Sequence, residues 1–107
     1  MSLGTLGKLT LTAGGTPQQF VATSTNCKHV FIEALSANVG QIFIGNKNMV
    51  KATLAGTYRV LPAPVASGVT NLLPTWDLYS NYGGPWDLST LYFDGTTGDS
   101  ILVAYAM

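Results

Sequence analysis

No window of helical length in this chain holds apolar residues at a sustained 3.6-residue spacing without a Gly, Pro or β-branched interruption. An amphipathic helix therefore has nowhere to form. Short runs of β-branched and aromatic residues are instead punctuated by Gly, Asn, Asp and Pro, the signature of strands joined by turns. At 107 residues the chain has the length of one domain, enough for a single sheet-on-sheet core. The pattern predicts an all-β fold: an antiparallel β-sandwich, jelly-roll-like, with seven or eight short strands. It forms one domain over 1–107, with a long irregular segment at 62–86.

The strands are read as follows. Lys8 to Thr12 alternates, with Leu9 and Leu11 on one face and Lys8, Thr10 and Thr12 on the other, as a strand with one wet face should. A turn at Ala13–Pro17 leads to a shorter strand at Gln18–Ala22. His29–Leu35 and Gln41–Ile44 are predicted to form a hairpin through Ser36–Gly40, where Asn38 and Gly40 suit left-handed backbone. Met49–Ala55 is left open between strand and irregular chain, and Thr57–Leu61 is a further strand. Pro62 to Pro85 holds four prolines and Trp76, with Trp86 directly after it; a short strand at Val69–Leu73 is its only regular candidate. Leu88–Phe93 and Ser100–Ala106 are the last strands, joined by a predicted hairpin loop at Asp94–Asp99.

Charge is where the composition stands out. Only 9% of residues are charged and 47% are hydrophobic, against roughly a quarter charged in an ordinary soluble domain. The outward positions of three strands share this lack: Phe31 and Leu35 in the third, Phe43 in the fourth, Leu102 and Ala104 in the last. A sandwich strand should be polar outward, so these faces are expected to be covered by other subunits, one side of the sandwich being covered and the other wet. The 62–86 segment folding back over them is the alternative. Trp76, Tyr79, Tyr82 and Trp86 are read as interface anchors, as packing that pins the loop, or as a platform for sugar rings.

Little in the chain points to chemistry. Cys27 and His29, the single cysteine and histidine, read as a small buried hydrophobe and a covered strand histidine. They lack the partners that a metal site or nucleophile requires. Asp94 and Asp99 flank one loop, too sparse a set for calcium or glycoside hydrolysis. The expectation is no enzyme, no cofactor and no metal. Lys8, Lys28, Lys47, Lys51 and Arg59 are too scattered for a nucleic-acid partner. No apolar run approaches the roughly 20 residues of a membrane helix, and the first residues do not read as a signal peptide.

Two segments carry a resemblance. Ala34–Asn46 reads as an apolar strand, Asn38-Val39-Gly40, then Ile42-Phe43-Ile44 closed by Gly45-Asn46. Asp87-Leu88-Ser89-Thr90-Leu91-Tyr92 is followed by the Gly98-Asp99-Ser100 hairpin and its strand, with Leu61-Pro62 between the two segments. Together they resemble small β-sandwich virion structural proteins of tailed bacteriophages. The Pro64–Trp86 stretch departs from that pattern, being longer and more aromatic. The resemblance implies a noncatalytic virion protein made in the host cytoplasm. In its leading form this is a capsid decoration (cement) protein, a homotrimer whose partners are itself and the phage capsid or other virion proteins. A tail, baseplate or head-fibre component is the alternative, and a carbohydrate-binding module using Trp76 and Trp86 is a more remote one.

Overall fold

The computed structural model describes residues 3–63, 75–79 and 85–107. These residues form an antiparallel β-sandwich. One sheet has the order β1 (Leu3–Thr10), β10 (Ser100–Ala106), β4 (His29–Ala34), β7 (Thr75–Tyr79); we call it the first sheet. The second has the order β2 (Gln18–Gln19), β9 (Tyr92–Asp94), β5 (Ile42–Val50), β6 (Ala55–Leu61). A short ladder joins β3 (Asn26–Cys27) to β8 (Trp86–Asp87).

Alternation explains which faces meet. Val30, Ile32 and Ala34 of β4 and Ile101 and Val103 of β10 point inward and are buried. They pack with Ile42, Ile44, Leu61 and Phe93 of the second sheet. Phe20 and Phe93 meet edge to face, with ring centroids 5.9 Å apart and planes at 75°, the arrangement that aromatic quadrupoles favour. Leu9 pairs with Ile101 on the inner face and packs against this core.

Both predicted hairpins prove to be corners. β4 lies in the first sheet and β5 in the second, so Leu35–Gln41 carries the chain across the sandwich. β9 and β10 are divided in the same way across Gly95–Asp99. The actual hairpin of the N-terminal half is β5–β6, turning at Lys51–Leu54, and this resolves the open stretch at Met49–Ala55.

Other strand limits shift for local reasons. β1 starts earlier than the alternation indicated, because a bulge between Thr5 and Gly7 re-phases it; Gly7 takes the positive φ of 71° there. β5 continues through Gly45 to Val50. A Cβ at Gly45 would strike the Gly56 carbonyl oxygen, so glycine here permits close strand approach and does not end the strand. The predicted strand at Leu88–Phe93 begins instead as a 3-10 turn over Leu88–Thr90. The irregular segment holds a real strand, β7, in which Trp76 and Leu78 face inward opposite Ile32 and Val30. The candidate strand at Val69–Leu73 and Tyr82 lie outside the described residues.

Two buried carboxylates and one amide lock the corners together. Asp99, 3% exposed, accepts from the backbone N–H groups of Val39 and Gly40, each at 2.9 Å. Asn38 exchanges a pair of bonds with the Ser100 backbone, Nδ2 donating at 2.9 Å and Oδ1 accepting at 2.7 Å. Asp94 Oδ1 accepts from Gly15 and Gly95 N–H at 2.8 and 2.7 Å. Lys51 Nζ lies 4.0 Å from that oxygen and donates to the Gly95 carbonyl at 2.6 Å.

Candidate interaction surfaces

Cross-strand register places the outward residues of the first sheet in rows. Lys8, Leu102, Glu33 and Thr75 form one row, and Thr5, Ala104, Phe31 and Asp77 the next. Phe31 and Leu102 are 36% and 41% exposed, and Ala104 is half-buried. They line a hollow of about 290 Å³ with Glu33, Thr75 and Asp77. The His29 ring lies against Phe31, centroids 3.9 Å apart, which narrows the orientations open to the phenyl group. The result is an apolar stripe flanked by Lys8 on one side and by Glu33 and Asp77 on the other.

This revises the expected division into a covered and a wet side. Phe43 is half-buried on the outer face of the other sheet, beside Val60 and Asp94. Lys8 and Thr10, the expected wet face of the first strand, share the face that carries Leu102. Leu35 lies just beyond β4 and is half-buried, its backbone N–H donating to the Ser100 carbonyl at 3.3 Å. Phe31, Leu102 and Ala104 are therefore brought together, and Phe43 is not with them. Tyr79 lies opposite His29 in the backbone register.

A second concavity opens between the edge strands β6 and β7. It encloses about 380 Å³ and is lined by Tyr58, Trp76, Leu78, Trp86, Thr90 and Leu91. Trp76 is half-buried against the core and Trp86 is 37% exposed. The structure thus unites the two tryptophans, which are ten positions apart in the chain, and adds Tyr58 at 57% exposure. Tyr58 is not singled out by the sequence pattern; its signal is an aromatic residue between Thr57 and Arg59 on an edge strand.

Asp87 anchors the rim of this concavity. Its carboxylate caps the 3-10 turn and takes four hydrogen bonds: from Ser24 Oγ at 2.7 Å, Ser89 N at 3.0 Å, Ser89 Oγ at 2.8 Å and Thr25 N at 3.1 Å. The Ser24 hydroxyl first, then the Ser89 donors, hold its carboxyl down to about 2. Because the folded value is depressed, the contribution of Asp87 to stability is complete above the ordinary carboxylate range. It is lost as pH falls from about 4 towards 2. Thermal melts between pH 6 and 2 should show this loss, and D87N should show a shallower fall over the same window, starting from a lower melting temperature at pH 6.

The reactive side chains occupy structural positions. Cys27 is buried, with its Sγ 3.7 Å from the Trp86 carbonyl oxygen. Burial, and then the Asp87 charge, push the thiol up, away from the thiolate that a nucleophile needs. The carboxylates of Asp94 and Asp99 are engaged by the loop N–H groups described above. Among the described residues no three His, Cys, Asp or Glu side chains cluster as metal ligands. Comparison of the chain with protein-family models, with curated proteins and with solved structures finds no match.

Proposed function

We propose that this chain is a noncatalytic structural subunit of a bacteriophage virion, and within that class a capsid decoration protein that stabilises the assembled head. The observation that carries the reading is the stripe of Phe31, Leu102 and Ala104 on the outer face of the first sheet. It lies on a chain whose surface is unusually poor in charge. With Phe31 and Leu102 36% and 41% exposed, completing their burial supplies roughly 0.5–1 kcal/mol per large side chain, offset by the entropy of association. The flanking Lys8, Glu33 and Asp77 would give the contact its orientation.

Strand order supports a jelly-roll reading of the sandwich. With the short β3–β8 ladder set aside, the eight other strands among the described residues, renumbered in chain order, run 1-8-3-6 in one sheet and 2-7-4-5 in the other. The pairs 1–8, 2–7, 3–6 and 4–5 are those of one long antiparallel ribbon rolled into two layers, an architecture used by capsid and lectin domains. Fold alone does not assign function; the exposed stripe and the resemblance in the corner motifs direct the choice to the virion.

In this account three copies associate around a local symmetry axis and contact neighbouring capsid subunits. Binding that favours the assembled shell stabilises it by mass action. Purified protein mixed with expanded capsids, unexpanded shells and isolated tails should bind saturably to expanded capsids. Binding to tails alone would move the assignment to a tail, baseplate or head-fibre component, and binding to none of them would refute the virion reading. L102D places a charge in the stripe and should weaken association on the order of 100-fold. Gel filtration across a dilution series measures that loss.

A further inference from the structure

We infer that the concavity between β6 and β7 is a binding site for a neutral saccharide, independent of the stripe on the first sheet. Tyr58 stands on one sheet, Trp76 and Leu78 on the other, and Trp86 comes from the short β3–β8 ladder. Three elements distant in the chain thus present three aromatic rings to one hollow. Leu78 and Leu91, 6% and 3% exposed, supply an apolar floor.

The chemistry of the lining selects the ligand class. Each aromatic side chain carries a polar tip: an indole N–H on Trp76 and Trp86, a phenol on Tyr58. Thr90 adds a hydroxyl whose proton is committed to the Asp87 carbonyl at 2.7 Å, leaving its oxygen to accept. Among the described residues no charged side chain lines the hollow, so an anionic or cationic ligand would lose solvation without gaining a counter-charge. A sugar ring offers what this surface can use: an apolar C–H face to lie on an aromatic ring, and hydroxyls for the polar tips. Size separates this from the other ligand of aromatic grooves, a polyproline segment. Such a segment advances about 3.1 Å per residue and needs an extended track, whereas this hollow is compact, at the small end of ligand pockets.

Both tryptophans of the chain line the hollow, so intrinsic fluorescence reports directly on its occupancy. The test uses the full-length protein on a glycan array. It is followed by emission titrations with maltohexaose, cellohexaose and chitohexaose as neutral probes, an oligogalacturonate as the acidic probe, and decaproline. At least one neutral glycan should shift the emission saturably, and the oligogalacturonate should not. W86A and Y58A should weaken that binding at least tenfold, and W86F, which keeps a ring and the fold, should restore most of it. Failure of every neutral glycan to bind would overturn the inference, as would a response to decaproline alone or affinity unchanged in both W86A and Y58A. W86A should keep the wild-type oligomeric state, because the proposed subunit contact is the stripe on the outer face of the first sheet.

Discussion

Replacing Asp99 with Ala should lower the unfolding free energy by about 3–5 kcal/mol, because hydrogen bonds to a charged group contribute roughly 1.5–3 kcal/mol each. The carboxylate is 3% exposed and accepts from both Val39 and Gly40 N–H. Alanine would leave two part-buried backbone donors without their acceptor, beside the Asn38–Ser100 exchange. The damage would spread to both sheet crossings, since Leu11 N–H also donates to the Asp99 carbonyl and Gly98 N–H to that of Leu11. D99N retains one acceptor oxygen but sets its amide N–H2 against the other backbone N–H, so it should recover only part of that loss. Urea denaturation of the wild type and both variants checks the order. A D99A variant within 1 kcal/mol of the wild type would refute the clamp.

Phe93→Ala should cost about 3–5 kcal/mol, the usual range for deleting a fully buried phenyl group. Phe93 is 0% exposed and lies at the centre of the second sheet's inner face, beside Ile44 and in edge-to-face contact with Phe20. The cavity would open where both sheets contribute side chains, so neither can collapse onto it alone. The contrast with Phe31 is the informative part. Phe31→Ala removes a ring of the same size that is 36% exposed and rests on His29, so the isolated fold should lose about 1–2 kcal/mol, less than for Phe93→Ala, while association weakens. Melting temperatures at a concentration where both variants are monomeric separate the two roles.

The strands were more legible in the sequence than their partners. Alternation of Val30, Ile32 and Ala34 with Phe31 and Glu33 is visible in six residues and needs no tertiary information. Asn-x-Gly at 38–40 and Asp-Gly at 94–95 predict hairpins through left-handed backbone, yet none of Asn38, Gly40 and Gly95 takes a positive φ; in these two loops Gly98 does, at 92°, and both loops are sheet corners. What separates the two outcomes is pairing with distant chain, such as Ala34 with Ile101 and Ile44 with Phe93. The motifs have a physical content: Asn38-Val39-Gly40 and Gly98-Asp99-Ser100 clamp the corners, and Asp87-Leu88-Ser89 caps the 3-10 turn.

The candidate surfaces divide in the same way. Phe31, Leu102 and Ala104 were found from strand parity, and register then made them neighbours. Phe43 has the same parity signal but belongs to the opposite sheet, a fact that local pattern does not encode. β7 was hidden by the prolines at 74 and 85, although Trp76 and Leu78 alternate with Thr75, Asp77 and Tyr79 as a strand should. The cleft that joins Trp76, Trp86 and Tyr58 depends on that strand taking the edge of the first sheet. It could not be assembled from spacing alone.

Sedimentation equilibrium of the purified wild type, beside F31D, tests most directly whether the stripe on the first sheet is a subunit contact. At micromolar concentration the account predicts a species of three times the 11.3 kDa chain mass, with F31D sedimenting as a folded monomer. A wild type that remains monomeric at every concentration would contradict it, as would an F31D variant that keeps the wild-type mass.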